Sequence, residues 1–278
     1  MRSNLTVAAE GIQLASRLVD TPPNILHASA FVEEASSIAS ALQSYGVEIK
    51  VIRGEELRER GFGGIFGVGK AAVEPPALVV LTYGRWLTGK SLCLVGKGIV
   101  YDTGGLSIKT KTGMPGMKRD MGGAAAVLAA FQSIVKARVI AAKATEIAEP
   151  DTAGAGPLHA LLCIAENSVA SNATRPDDIH TLYSGKAVEI NNTDAEGRLV
   201  LGDGVAYASA HLSPSVIIDM ATLTGAQGIA TGKRHGALYC NDEGLEELAC
   251  RCGRWTGDLV HPLPYCPEFF RNEFRCEQ

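Results

Sequence analysis

Two acids and an arginine alternate in one short polar segment, residues 191–199. Asp194, Glu196 and Arg198 occupy every second position, so an extended backbone would project all three side chains from one face. Gly197 disfavours a helix interior, while the apolar run after Arg198 could begin a helix. The segment predicts a polar loop at a strand or helix end that presents oxygen ligands and a cation together. An isolated segment of this kind is also typical of a solvated loop with a weak ion pair.

A second polar segment is rich in glycine and carries two lysines and an acid. It covers residues 96–109 and follows a strand expected to end at Val95; its charged side chains include Lys97, Asp102 and Lys109. The carboxyl ends of strands in open α/β sheets are where ligands bind. A phosphate loop is not favoured, because neither G-x-x-x-x-G-K-[ST] nor a helix-opening G-x-G-x-x-G occurs here. The plain alternative is a pair of ordinary surface lysines.

A further acid, Asp120, precedes a segment with apolar residues at helical spacing, 124–135. Its position is that of an N-cap residue, which by itself explains an aspartate there. The second carboxylate oxygen of such a cap is free to bind a metal. Asp120 is therefore a candidate ligand as well as a candidate cap.

The acids of these three segments would repel one another if they met in a partly buried site. Two divalent cations would balance their charge, and Lys97 could join the shell only as a neutral amine. Such a pair of ions is suited to hydrolysis, in which a water is activated and a carbonyl is polarised. The candidate ligands are Lys97, Asp102, Asp120, Asp194 and Glu196, and the candidate unbound cations are Lys109 and Arg198.

Helical and strand patterns alternate along the chain. Apolar spacing predicts helices over 4–19 and about 28–44, and alternation predicts a half-exposed strand over 47–51. Residues 77–81 and 91–95 are apolar throughout, as strands covered on both faces are. The order predicts an α/β sandwich.

One stretch, 137–157, departs from this order. It is rich in alanine and runs into a segment of glycine, proline and acids. We expect an insertion or a flexible loop there, ahead of a strand over 158–165.

Composition narrows the class of protein. With 46% hydrophobic and 20% charged residues the chain is typical of globular proteins, and a net charge of −4 offers no basic surface for nucleic acid or an anionic membrane. The N-terminus lacks a signal-peptide core, and no run of 18 apolar residues occurs. Seven cysteines, an odd number, favour free thiols. We expect a cytoplasmic protein.

Residues 95–109, 117–124 and 192–199 resemble segments of the leucine aminopeptidase family of two-metal cytosolic exopeptidases. The octapeptide 192–199, Asn-Thr-Asp-Ala-Glu-Gly-Arg-Leu, is highly specific, and its order and spacing relative to the other segments add to the match. The similarity extends from the turn at 20–24 to about Pro264. It is nearest the branch named only as probable aminopeptidases.

The resemblance implies a set of metal ligands. Asp102 and Glu196 would bridge two divalent ions, zinc or manganese, with magnesium and cobalt as alternatives. Lys97 and Asp120 would complete the shell of one ion. Asp194 would complete the shell of the other.

The resemblance also implies roles around those ions. Lys109 would polarise the scissile carbonyl, and Arg198 would hold a bicarbonate or similar anion that takes the proton of the nucleophile. Met117, Thr222 and Gly225 match positions near the pocket for the first side chain of a peptide, where an apolar lining favours leucine-like residues. The implied reaction is release of N-terminal residues from peptides.

The family's catalytic domain, a mixed and largely buried sheet between helices, continues past Gln278. We therefore expect residues 1–278 to form a single catalytic domain, truncated at its C-terminus, that would assemble as a homo-hexamer if the missing region were present. Two alternatives stay open: a catalytically weak homologue acting as an assembly subunit, and a two-metal hydrolase of another substrate such as a phosphate ester. None of the six histidines falls in the matched motifs, and only His159 and His180 are expected near the site.

Overall fold

The computed structural model describes residues 2–144 and 155–274. They belong to two compact units, Met1–Thr222 and Leu223–Gln278. The helices of the first unit are α1 (Arg2–Asp20), α2 (Ala28–Ala41), α3 (Glu55–Glu59), α4 (Gly63–Gly69), α5 (Gly122–Ala144) and α6 (Gly197–His211). Its strands are β1 (Val47–Arg53), β2 (Ala77–Tyr83), β3 (Lys90–Asp102), β4 (Ala155–Asn167), β5 (Ile179–Thr181), β6 (Ala187–Glu189) and β7 (Val216–Met220). Two short 3-10 helices cover Gln43–Tyr45 and Met117–Met121.

Five of these strands form one mixed sheet in the order β1-β2-β4-β3-β7. Strand β2 pairs antiparallel with β1 and β4, whereas β3 is parallel to both β4 and β7. Strands β5 and β6 form a separate antiparallel hairpin. Because β3 and β4 are parallel, their carboxyl ends lie at the same edge of the sheet.

Helices cover both faces of this sheet. On one face, side chains of α1, α2 and α5 pack with alternate residues of the strands, and Phe31 and Phe131 are fully buried there. On the other face, α3, α4 and α6 pack around Phe62 and Ile65. All seven residues of β2 are buried, as the continuous apolar run predicts for a strand covered on both sides. The predicted α/β fold with a mixed, largely buried sheet between helices is confirmed.

One helical stretch, Met117–Lys143, is long and apolar enough to cross a membrane by length and composition alone. Within it, Val127, Leu128, Phe131 and Val135 are buried in the core on the α1 side of the sheet. A helix buried in the core of a globular protein has the same composition. Core packing therefore accounts for the apolar character of this stretch.

Strand β3 runs seven residues beyond the predicted end at Val95. The expectation was wrong because glycines beside Lys97 were taken as loop residues. In the sheet they allow close packing, since a Cβ at Gly96 would lie 2.5 Å from the Cα of Ala124 in α5. Parallel pairing with β4 therefore continues through this region.

The segment 137–157 divides between two regular elements and a stretch outside the described residues. Residues 137–144 complete α5, and residues 155–157 begin β4. Residues 145–154 lie outside the described residues. The expectation of an insertion or flexible loop therefore concerns only that middle part.

The second unit contains α7 (Ala226–Ala230), β8 (Gly236–Leu238), α8 (Glu243–Thr256) and β9 (Val260–Pro262). Strands β8 and β9 pair in parallel. Helix α8 begins at an N-cap, Asp242, whose side chain accepts a hydrogen bond from the backbone N–H of Leu245 at 2.9 Å. In the part of the chain that the structure describes, all six cysteines are free thiols, as predicted.

Candidate metal centre

The candidate ligands come from four elements of the first unit. Lys97 lies inside β3 and Asp102 is its last residue; Asp120 lies in the 3-10 helix that leads into α5. Asp194 lies in a turn, and Glu196 occupies the N-cap position of α6 with helical backbone angles. The predicted loop at a helix start is found, but its backbone is not extended.

Lys97 lies at the middle of this group. Its Nζ is 2.7 Å from Asp120 Oδ2 and 2.8 Å from Glu196 Oε1, and it donates to the backbone oxygen of Thr222 at 3.0 Å. A Cβ at Gly197 would lie 2.7 Å from Cε of Lys97. Glycine at that position therefore lets α6 begin directly against the lysine side chain.

Lys109, predicted as a cation that binds no metal, contacts the other carboxylates of the group. Its Nζ is 2.9 Å from Asp102 Oδ2, and it forms a second, shorter ion pair with Asp194 Oδ1. Without bound ions, each lysine thus forms ion pairs with two of the four acids, and its single positive charge balances only part of their negative charge. Lys97 pairs with Asp120 and Glu196, and Lys109 pairs with Asp102 and Asp194.

The oxygen atoms of this group fit a divalent cation. One carboxylate oxygen from each of Asp102, Asp120 and Glu196 lies within 4.8 Å of the others, and all three residues are 2% exposed. Glu196 Oε2 has no hydrogen-bond partner among the described residues, and Asp120 Oδ2 has only its ion pair with Lys97. Buried carboxylate oxygens with few hydrogen-bond donors are the hard ligands that divalent ions bind.

Burial and neighbouring charges change the proton affinities of the acids in the group. Burial raises the pKa of Glu196 to about 7, and the nearby carboxylates of Asp102 and Asp120 add to the rise, while Lys97 opposes it. Burial also raises the pKa of Asp120. A buried carboxyl with a pKa so far from its ordinary value is typical of functional sites, and bound cations would reverse the shift.

The pKa of Lys97 responds to the same surroundings in the opposite sense. Burial lowers it, but the charges of Glu196 and Asp120 outweigh burial and raise the pKa overall. Lys97 is therefore an ammonium when no ion is bound. The predicted neutral amine requires divalent cations beside it, because their charge disfavours the ammonium.

Three further residues belong to the hydrogen-bond network of the site. The Thr222 hydroxyl donates to Asp120 Oδ1 at 2.7 Å, so this predicted substrate-binding residue lies directly beside the acids. The Asn167 amide donates to Asp102 Oδ1 at 2.8 Å and to the backbone oxygen of Thr193 at 3.0 Å. Neither Asn167 nor Thr193 was singled out from the sequence as a site residue. The sequence offered no signal for Asn167, because the predicted strand ended at residue 165 and only the structure shows its parallel pairing with β3.

The other predicted site residues lie in different surroundings. Arg198, in the first turn of α6, is exposed, and Met117 is half-buried at the start of its 3-10 helix. Gly225 belongs to the second unit, at the N-cap of α7. The structure therefore groups the predicted ligands, Lys109 and Thr222 within the first unit.

The two histidines expected near the site have other partners. His159 is buried in β4, and its Nδ1 is 3.0 Å from the Thr82 hydroxyl. His180 Nε2 is 3.0 Å from the Thr174 hydroxyl. Burial lowers the pKa of both imidazoles, which favours neutral rings with structural hydrogen bonds.

Comparison with known proteins gives matches over nearly the whole chain. Residues 13–277 match the family described as cytosol aminopeptidase family, catalytic domain. Probable aminopeptidase NPEPL1 from Homo sapiens is 56% identical over 270 residues, which are 97% of this chain and 48% of that protein. The chain spans about half the length of the curated relatives it matches.

Solved structures also match nearly the whole of this chain and about half of their own length. The leucine aminopeptidase of Caenorhabditis elegans has a TM-score of 0.90 and 50% identity, with coverage of 99% of this chain and 52% of that chain. The leucyl aminopeptidase of Trypanosoma brucei, in complex with bestatin, has a TM-score of 0.88 and 47% identity, covering 99% of this chain and 50% of that one.

Proposed function

Because this chain belongs to the cytosol aminopeptidase family, we propose that it is a metal-dependent aminopeptidase that releases N-terminal, preferentially leucine-like, residues from peptides. The observation that carries the proposal is the group of buried oxygens from Asp102, Asp120 and Glu196, which lie within 4.8 Å of one another. Peptides would be its substrates, and the cytoplasm its location.

Five residues would hold two divalent ions. Asp102 and Glu196 would be shared between the ions, Lys97 and Asp120 would bind one of them, and Asp194 the other. Zinc and manganese both suit this oxygen-rich set with one amine, and magnesium or cobalt would also fit. When bound, such ions supply a polarised carbonyl and a water of lowered pKa.

Two cations of the chain would act on the substrate and on proton transfer. Lys109, already held at Asp102 and Asp194, would turn its ammonium toward the scissile carbonyl and stabilise the negative charge that develops there. The exposed guanidinium of Arg198 would hold bicarbonate or a similar anion, which would take a proton from the attacking water.

The first side chain of the peptide would be recognised near Met117 and Thr222. Support for this role is strongest for Thr222, whose hydroxyl and backbone oxygen contact Asp120 and Lys97. An apolar lining would favour leucine over small or charged residues. A homo-hexamer is the proposed assembly, by family resemblance.

The alternative of a catalytically weak assembly subunit is not favoured, because the proposed metal ligands lie in one group. The test is hydrolysis by the purified chain, loaded with Mn²⁺ or Zn²⁺, of leucyl-p-nitroanilide, its N-acetylated form and p-nitrophenyl phosphate. We expect release only from the substrate with a free amine. Equal hydrolysis of the acetylated substrate would contradict exopeptidase action, and hydrolysis of the phosphate ester alone would favour a phosphatase.

A leucine preference requires a separate comparison. We expect kcat/KM for leucyl-p-nitroanilide to exceed that for the glycyl and lysyl substrates under the same metal loading. Equal values for the three substrates would contradict the preference but leave aminopeptidase activity standing.

A further inference from the structure

Asn167 is a buried amide beside the proposed metal ligands. It is the last residue of β4, it pairs across the sheet with Asp102 at the end of β3, and it is 5% exposed. An amide so deeply buried must have its polar atoms satisfied by the protein. The hydrogen-bond partners of the Asn167 amide therefore indicate its role in the site.

Both donors of the amide point to oxygen atoms of site segments. Asn167 Nδ2 donates to Asp102 Oδ1 at 2.8 Å and to the backbone oxygen of Thr193 at 3.0 Å. Neither of these oxygens can donate a hydrogen bond while Asp102 is ionised, so only the nitrogen of the amide can face them. The orientation of the Asn167 side chain is thereby determined.

This hydrogen bond also determines which oxygen of Asp102 faces the site. Asp102 Oδ1 accepts a second hydrogen bond from the backbone N–H of Gly104 at 2.9 Å. With Oδ1 held by two donors, Oδ2 is the oxygen directed at Lys109 Nζ, 2.9 Å away. Asn167 thus holds the carboxylate in one orientation and leaves Oδ2 for a cation.

The same amide connects Asp102 to the segment that carries Asp194. Thr193, which precedes Asp194, donates from its hydroxyl to the backbone oxygen of Gly104 at 2.6 Å. A Cβ at Gly105 would lie 2.9 Å from Asn167 Oδ1 and 2.9 Å from Thr193 Oγ1. The loop after β3 can approach both side chains only because residue 105 is glycine, which its φ of +64° also favours.

We propose that Asn167 is a positioning residue that orients Asp102 and the Thr193–Asp194 segment for binding of divalent cations. The inference rests on the proposed metal-dependent function, and it assigns Asn167 no contact with substrate. Hydrogen-bond partners of metal ligands typically change metal affinity 10- to 100-fold when they are replaced. We expect about that loss of Mn²⁺ affinity on replacement of Asn167.

The test is calorimetric titration of the metal-stripped full chain with Mn²⁺. Asn167→Asp keeps the shape of the side chain but sets an acid against Asp102, whereas Asn167→Ala removes the donors without adding charge. The matched control is Asn172→Asp, because Asn172 is exposed and donates to the backbone oxygen of Lys70 at 2.7 Å. We expect Mn²⁺ affinity to fall about 10- to 100-fold in both Asn167 variants and to stay within about twofold in the control.

The thermal midpoint without metal separates positioning from a purely structural role. A structural role alone would lower that midpoint in the Asn167 variants while their Mn²⁺ affinity stays at the wild-type value, and this result would overturn the proposal. A wild-type chain that binds no Mn²⁺ would overturn the metal centre and this inference together. Absence of peptidase activity in a chain that binds Mn²⁺ would contradict only the proposed function.

Discussion

The ammonium of Lys97 lies 2.7 Å from Oδ2 of Asp120, and both side chains are 2% exposed. Glu196 Oε1 lies 2.8 Å from the same ammonium. Removing the cation from such a buried group leaves uncompensated negative charge, which costs far more than loss of a surface ion pair. The stability of the metal-free chain therefore depends on Lys97.

Lys97→Met should lower the free energy of unfolding in the presence of a chelator by about 3–5 kcal/mol, because two buried carboxylates lose their cation. Lys136→Met is the matched control, since Lys136 pairs with Glu10 at 2.8 Å on the surface and should cost about 0–1 kcal/mol. Urea unfolding measures both. Equal losses in the two variants would contradict a buried group of acids that depends on the Lys97 cation.

Lys109→Ala should lower kcat by about 10²–10³, because a positive charge aimed at the developing oxyanion is lost. Mn²⁺ affinity should not weaken, since removing this ammonium frees the oxygens of Asp102 and Asp194. Lys111→Ala, an exposed lysine two residues along the chain, is the control and should leave both quantities unchanged. A Lys109 variant with wild-type kcat would contradict the role in catalysis.

Arg198→Ala should leave metal content and fold nearly unchanged, because Arg198 is exposed and is not among the proposed ligands. Turnover should fall less than in Lys109→Ala, since an anion can still diffuse into the site. Added bicarbonate should restore part of the lost rate in a steady-state assay. Wild-type kcat with no response to bicarbonate would rule out anion-assisted proton transfer.

Asp203 should make the stability of the chain depend on pH. Its buried carboxylate accepts backbone hydrogen bonds from Ile65 and Tyr183, both at 2.8 Å, yet burial dominates and raises its pKa from 3.8 to about 6. The folded chain therefore holds this proton more tightly than the unfolded chain. The resulting stabilisation is full below about pH 4 and is lost as the pH rises through about 6, a change on the order of 3 kcal/mol.

The measurement is urea unfolding of wild-type and Asp203→Asn chains between pH 4 and 7 with a chelator present. The free energy of unfolding of the wild-type chain, relative to that of Asp203→Asn, should fall as the pH rises over this range. Asp178→Asn is the control, because a backbone hydrogen bond from Arg175 lowers the pKa of Asp178 from its ordinary value of 3.8. Its contribution is lost only as the pH falls below about 4, so the difference between wild type and Asp178→Asn should stay nearly constant between pH 4 and 7. A wild-type minus Asp203→Asn difference that stays constant with pH would contradict the raised pKa.

Much of the fold follows from local pattern. The apolar run of β2 and the helical spacing of α1 and α5 are long and regular, so periodicity alone predicts them. The end of β3 was mispredicted because glycines on either side of Lys97 resemble loop residues locally. Their role is set by the approach of α5 to the sheet, which only the tertiary structure shows.

Motif order and residue type were enough to name the candidate ligands from the sequence, and their binding of metal stays a prediction. The ion pairs of Lys109 were not predictable, since they depend on how the loop after β3 meets the turn at Asp194. Asn167 carries no spacing signal, because a single amide at a strand end has many structural uses. Only its pairing with Asp102 across two parallel strands reveals its relation to the site.

The most direct test of the two-ion centre is the number of divalent ions bound per chain, measured by native mass spectrometry after loading with Zn²⁺ or Mn²⁺. We expect two ions on the wild-type chain. Asp102→Ala and Glu196→Ala should each fail to hold two, because either change removes a carboxylate shared between the ions. Two ions retained by both variants, or none bound by the wild-type chain, would contradict the account.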